Sequence, residues 1–231
     1  MPSAEKMLYF LSSALLTVIG VAVLGYGMST EWSSSTMACS PPENNFFNGS
    51  ATIRMGLFEG KESHKACPRF TLDENKVLVF ERLGEVGGAG EGLHVMVVVL
   101  LVFALVASAG SILITLYNTI SNPYETYMGP IGLYVCSGLS ACLAFLAMVL
   151  YFLNLVSVNI TKNMLLANIK QSVILKDTDV RFLTGFFMIL PYIIVDLLAI
   201  FLVYLYAHMA YRQRMEQQRP TEDAPKEILM Y

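Results

Sequence analysis

Charge is what this chain has least of. Only 14% of its residues are Asp, Glu, Lys or Arg, against about 25% in an ordinary soluble domain. The shortage is concentrated: between Glu91 and Lys162 the sole charged residue is Glu125. The net charge of −3 provides no basic surface for a nucleic-acid partner. Histidine is scarce too, and His64, His94 and His208 lie in separate segments. The chain contains no H-E-x-x-H, no G-x-S-x-G and no phosphate loop, so the usual zinc, hydrolase and nucleotide signatures are missing. Gly87-Gly88-Ala89-Gly90-Glu91-Gly92 lacks the Gly-Lys-Ser/Thr that a phosphate loop requires and reads instead as a flexible hinge. No nucleophile, base or metal set can be assembled. The expectation is a non-enzymatic protein with no cofactor and no metal.

What the chain has in abundance is apolar sequence. Four runs, Met7–Met28, Leu93–Tyr117, Ile131–Val158 and Phe182–Ala210, contain no charge apart from Asp196. Each exceeds the roughly 20 residues needed to cross a hydrocarbon core of about 30 Å. Lipid offers the backbone no hydrogen-bond partner, so these runs should be helices. The first could be mistaken for a signal peptide, but its charged start is weak (Lys6 beside Glu5) and no A-x-A site follows, which favours a retained helix. The expected organisation is therefore 1–6 inside, spans at 7–28, 93–117, 131–158 and 182–210, an outer loop at 29–92, an inner turn at 118–130, a second, partly helical outer loop at 159–181, and an inner tail at 211–231. That is a membrane all-α four-helix bundle carrying a small extracellular β-sheet from the first outer loop.

Lys/Arg counting leaves the orientation open: the long loop weighs little in it, and Lys162, Lys170, Lys176 and Arg181 of the shorter loop argue mildly for the opposite orientation. Two other signals place the long loop outside. Cys39 and Cys67 share that polar loop, 28 residues apart, which fits no common zinc spacing, and a disulfide is the natural reading in an oxidising compartment. The alternative is two free thiols. Asn48-Gly49-Ser50 is an N-glycosylation acceptor in the same loop, and Asn159-Ile160-Thr161 is a second one beside the third span. Arg212 and Arg214 directly after the fourth span fit a cytoplasmic end. An integral membrane protein, in the plasma membrane with both termini cytoplasmic, is the expectation.

Within the long loop, Thr52–Phe58, Arg69–Leu72 and Val77–Leu83 are the strand candidates. After Val158 the apolar residues Ile160, Met164, Leu165, Ile169 and Val173 recur at helical spacing, which predicts a third helix prolonged beyond the membrane and packed against the sheet. Inside the spans, Asp196 is the one deep carboxylate, about 21 Å along its helix from Phe182 at 1.5 Å per residue. Ser12, Ser13, Ser108 and Ser111 fall at similar depth. A charge there is costly, so Asp196 should be protonated or hydrogen-bonded within the bundle. A proton or cation relay is one reading. A buried contact that fixes packing is the other, and the lack of a matching Lys, His or second acid favours it. Pro191 is expected to kink this helix. Small residues at spacings of three and four, Ala104, Ala107, Ser108 and Ser111 on the second span and Ser137, Gly138, Ala141 and Cys142 on the third, let helices approach closely.

Several stretches carry a resemblance. Four spans, a strand-rich first loop, Trp32 just past the first span and Gly56-Leu57-Phe58 resemble the claudin-like four-helix superfamily. Cys39 precedes that Gly-Leu element and Cys67 follows it, whereas claudins place both cysteines after it. This arrangement, with Met1-Pro2-Ser3, the Asn48 acceptor and Gly56-Leu57-Phe58-Glu59-Gly60, resembles the clarin family. The most specific stretch is Asn122-Pro123-Tyr124-Glu125-Thr126-Tyr127-Met128-Gly129-Pro130-Ile131-Gly132-Leu133-Tyr134, which is similar to the clarin turn between spans two and three. There Pro123 and Gly129-Pro130 break helices, and Tyr124 and Tyr127 can anchor at the interface. The tail from Ala224 to Tyr231 is similar to that of the third vertebrate paralogue. The resemblance implies a non-enzymatic role in sensory cells, hair bundles above all, with actin-linked membrane organisation. Membrane lipids and other membrane proteins are the expected partners. Leu229 and Tyr231 form a hydrophobic-x-hydrophobic end of the kind that adds a strand to PDZ domains.

Overall fold

The structure is a computed structural model that describes residues 4–40, 49–65, 71–120, 129–168 and 174–217. Its elements run α1 (Ala4–Ser29), β1 (Glu31–Ser40), β2 (Gly49–Gly56), β3 (Glu59–Lys65), β4 (Thr71–Leu78), α2 (Val79–Val86), α3 (Ala89–Ile120), α4 (Pro130–Val156), α5 (Ile160–Asn168), β5 (Ile174–Phe182), α6 (Thr184–Phe187) and α7 (Ile189–Gln217). Helices α1, α3, α4 and the α6–α7 unit are long and apolar enough to cross a membrane. They pack in a ring, with α1 against α7 and α3, and α4 against α3 and α7. Residues such as Leu15, Phe103, Val106, Leu113, Ile194 and Phe201 stay exposed on the outside of that ring. In water such a surface would be a liability; in lipid it is the solvated face. Both described chain ends lie on the side of the bundle opposite the sheet.

Five antiparallel strands form that sheet in the order β4-β3-β2-β1-β5. Four come from the first loop, and β5, from the second loop, pairs with β1 and covers its other edge. β1 did not read as a strand because it is a run of small hydroxyls, Trp32-Ser33-Ser34-Ser35-Thr36. Its alternation is nevertheless clear in the burial: Ser33, Ser35, Met37 and Cys39 face inward, while Ser34, Thr36 and Ala38 face out. The inner face packs Met37, Cys39, Ala51, Ile53 and Leu175 against Leu165 of α5.

Three sequence expectations need correction. The candidate Thr52–Phe58 begins earlier, at Gly49, and stops at Gly56. There a Cβ would stand 2.8 Å from the Glu59 carbonyl oxygen, so the tight return into β3 requires glycine. Val77–Leu83 is a strand only as far as Leu78; Val79 and Leu83, four apart, are both buried on one face of α2. A short apolar run fits either period, and the bundle below selected the helix. The third span does not continue outward either. It stops at Val156, Asn159 takes φ 51°, and α5 starts afresh at Ile160. Ile160, Met164 and Leu165 are buried as the periodicity predicts, and Ile169 and Val173 lie outside the described residues.

The glycine-rich stretch turns the chain from α2 into α3. Gly87 and Gly88 have φ of 63° and 81°, which glycine adopts without steric cost. Gly90 is held by Asn154 Nδ2, which donates to its carbonyl oxygen at 3.0 Å. The kink expected at Pro191 takes the form of a one-residue interruption at Met188, between α6 and α7. Proline has no N–H for the carbonyl of Phe187, four residues back, and the break falls beside it.

Candidate functional site

Two clusters of buried polar side chains stand out among the described residues, one where the sheet meets the bundle and one inside the bundle. At the first, Trp32 is fully buried. Its Nε1–H donates to the Gly27 carbonyl at 2.8 Å, and its own carbonyl accepts from Leu183 N–H at 2.8 Å. The indole meets the Tyr151 ring edge-on, with centroids 4.9 Å apart, and the Phe186 ring at 6.3 Å. Tyr151 in turn shares a 2.8 Å hydrogen bond with Ser33 Oγ. His94 Nε2 lies 2.9 Å from the Leu57 carbonyl oxygen; a carbonyl only accepts, so that nitrogen bears the hydrogen. α1, β1, the turn between β2 and β3, α3, α4 and α6 are thereby tied at one point.

Two glycines make the joint sterically feasible. A Cβ on Gly185 would stand 2.7 Å from Trp32 Nε1 and 2.9 Å from the Glu31 carbonyl oxygen, and one on Gly27 would stand 2.9 Å from Met188 Cβ. Above the joint lies a cleft of about 650 Å³, lined among others by Met28, Leu57, Phe58, Lys61 and Lys76. Phe58 lines this cleft; Phe58, Leu78 and Phe80 are all exposed, with the Phe58 and Phe80 rings 6.2 Å apart.

The second cluster is a seam of buried polar side chains between the helices. Ser111 and Ser137 hydroxyls pair at 2.7 Å across α3 and α4. Ser108 Oγ and Tyr192 Oη pair at 2.7 Å across α3 and α7. Ser13 Oγ donates to the Ala199 carbonyl at 3.1 Å across α1 and α7. Asp196, fully buried, bonds the Ser140 hydroxyl across α4 and α7. Ser140 Oγ also lies 2.9 Å from the Ser137 carbonyl oxygen, so one hydroxyl hydrogen faces two acceptors. The other Asp196 oxygen has no hydrogen-bond partner among the described residues. Interhelical bonds of this kind average about 0.6 kcal/mol in membranes, so the seam contributes more to register than to stability.

Of the residues singled out in the sequence, Trp32, Gly56, Leu57 and Phe58 converge on the joint. Asp196, Ser13, Ser108 and Ser111 converge on the seam; Ser12 is only half-buried beside it. The small residues divide: Ala104, Ser137 and Ala141 are buried between helices, Ala107 and Gly138 half-buried, and Cys142 is exposed. Gly129 precedes α4 as its cap and Pro130 is its first residue. Gly132 N–H donates to the Gly129 carbonyl at 3.0 Å, and Tyr134 packs beside Phe10, Leu133 and Val203. Pro123, Tyr124 and Thr126 lie outside the described residues, as do Asn48, Cys67, Leu229 and Tyr231. Cys39 is buried under α5, and Asn159 is exposed at the α4–α5 break.

Ser140, Tyr192, Tyr151, His94 and Gly185 were missed by sequence reasoning. Their signal was weak but present, since each is a polar or tiny residue within or beside an apolar run.

The comparisons agree with this architecture. The sequence model of the family described as Clarin-2 (Clarin-2-like) matches residues 7–201. The chain is 33% identical to Clarin-3 of Mus musculus over 234 residues, 30% identical to Clarin-3 of Homo sapiens over 232, and 34% identical to Clarin-3 of Rattus norvegicus over 234, each covering 100% of both chains. A four-span membrane chain with a sheet locked to its bundle by Trp32, matched along its whole length by these relatives, belongs to the clarin family.

Proposed function

We propose that the chain is a non-enzymatic membrane organiser. Its sheet faces the cell exterior and contacts neighbouring membrane proteins. Its tail, ending in Leu229 and Tyr231, recruits PDZ-type or actin-linked scaffold on the cytoplasmic side. In this reading it sits in the plasma membrane among lipids, with both termini cytoplasmic, Cys39 paired with Cys67 and a glycan on Asn48. Kinship with the clarins supports a place in sensory membranes such as those of hair cells.

The observation that carries the reading is the Trp32 joint. A sheet hung on flexible linkers would present no defined surface, whereas Trp32, Tyr151, Ser33 and His94 hold this one at a fixed pose. The seam suits the same role: its hydroxyls pair with one another across helices, as a packing device does. The orphaned oxygen of Asp196 favours a second reading, a proton or cation relay. It lacks a partner acid or base along the seam among the described residues.

The test is cross-linking in cells of the native tissue, comparing wild type with a chain lacking Leu229–Tyr231. Scaffold or actin-linked partners that disappear with the truncation support the organiser. A pore-forming subunit recovered equally from both makes the chain an auxiliary subunit of a channel or transporter, and the tail's role falls.

A further inference from the structure

The sheet's outward face is organised in rows that no single strand reveals. Ser34 is in register with Arg181 on one side and Arg54 on the other. Arg54 stands opposite Lys61, and Lys61 opposite Lys76. Residues directly opposite in an antiparallel ladder share a face. The sequence-distant set Arg181, Ser34, Arg54, Lys61 and Lys76 therefore forms one line across all five strands, about 19 Å long at about 4.8 Å per strand. A second line, further from the bundle, runs Lys176, Ala38, Ser50 and Lys65.

Like charges directly opposite destabilise a sheet, so such a line needs a reason outside strand pairing. Among the described side chains, compensation within the face is incomplete. Glu31 answers Lys61 at 3.5 Å and Arg54 at 3.9 Å, and Asp179 answers Arg181 at 3.0 Å. Glu59, exposed one row nearer the bundle, is the third acid among the described side chains of this face, against the five cations Arg181, Arg54, Lys61, Lys76 and Lys65 besides Lys176. Between the two lines the floor is Ser34, Thr36, Ala38, Ser50 and Thr52, a depression of about 450 Å³ with Arg54, Arg181 and Asp179 at its rim.

We propose that this face binds a sulfated polysaccharide chain. Arginine forks at the rim recognise oxyanions bidentately, and the short hydroxyl-bearing floor lets a sugar ring lie flat and hydrogen-bond. An acidic peptide fits less well, because the floor carries no large apolar side chain to serve as an anchor, and strand addition would use an edge of the sheet and leave its face free. A phospholipid headgroup fits less well too. The Ser34 row lies three residues along β1 from Glu31, about 10 Å beyond the helix end. The proposal deepens the organiser reading by naming the chemistry of an outer partner, and it rests on the sheet facing the cell exterior. Binding by purified protein reads the face alone, so its failure is distinguishable from a failure of that orientation or of the tail's partners.

The experiment uses the full chain in phosphatidylcholine nanodiscs and a heparin-derived octasaccharide, read by interferometry at about 0.15 M salt. Wild type should bind, and desulfated octasaccharide should not. Arg54→Gln with Arg181→Gln should weaken binding about tenfold, as should Lys61→Gln with Lys76→Gln. The charge-matched control, Arg82→Gln with Arg212→Gln, should stay within about twofold. Asp179→Asn, which frees Arg181, should tighten binding, a gain that misfolding cannot mimic. Absence of wild-type binding, an equal loss in the control, or preference for polyglutamate or for phosphatidylserine nanodiscs would overturn the proposal.

Discussion

Gly185 has no side chain where the indole of Trp32 needs the space: a Cβ there would lie 2.7 Å from Trp32 Nε1. The two residues are far apart in sequence, yet each makes sense only beside the other. Together they close the joint between the sheet and the last span.

The first prediction concerns this pair. Trp32→Ala should cost about 3–5 kcal/mol, as for large aromatic truncations in packed cores. Gly185→Ala should cost about 1–3 kcal/mol through overpacking. Thermal unfolding in detergent and surface delivery in cells would measure both. Wild-type behaviour of Gly185→Ala would mean that the indole can move, and the rigid joint would be lost as an argument.

Asp196 and Ser140 supply the second. Asp196→Asn keeps an acceptor for the Ser140 hydroxyl and should leave stability within about 1 kcal/mol of wild type. Ser140→Ala takes the hydroxyl from a buried carboxyl and should cost about 1–3 kcal/mol. Detergent melting curves decide between them. An Asp196→Asn chain that folds normally but loses a proton or cation flux would move the seam from packing to transport.

Cys39 gives the third. With Cys39 paired to Cys67, Cys39→Ser and Cys67→Ser should each cost about 2–5 kcal/mol and expose a new thiol to maleimide labelling under non-reducing conditions. Lower labelling of each variant than of wild type, one thiol fewer, would argue for two free thiols.

Orientation is tested by the acceptor at Asn48. Asn48→Gln should abolish an endoglycosidase-sensitive band shift. A shift that survives the substitution points to Asn159, which is exposed at the α4–α5 break. No shift in wild type would undercut an outward-facing sheet and, with it, a cell-surface polysaccharide as the ligand.

Much of the fold was legible before any coordinates. A span announces itself locally, because burial in lipid depends on each residue's own transfer free energy summed over about 20 positions. Trp32, Gly56 and Asp196 were conspicuous for the same reason, each unlike its surroundings. β1 and β3 were not legible. Ser33-Ser34-Ser35 and Glu59–Lys65 have little strand propensity of their own, and they are strands because β2 lies between them and pairs with both.

The sequence by itself determined four membrane helices, a long polar loop and the clarin kinship, since these follow from composition and local order. Only the tertiary structure decided which polar groups meet. Ser140 finds Asp196 from another helix, His94 finds the Leu57 carbonyl, and four cations from four strands fall into one line. Register and helix rotation set those meetings. Both are fixed by the packing of the whole chain, through contacts that no local stretch of sequence contains.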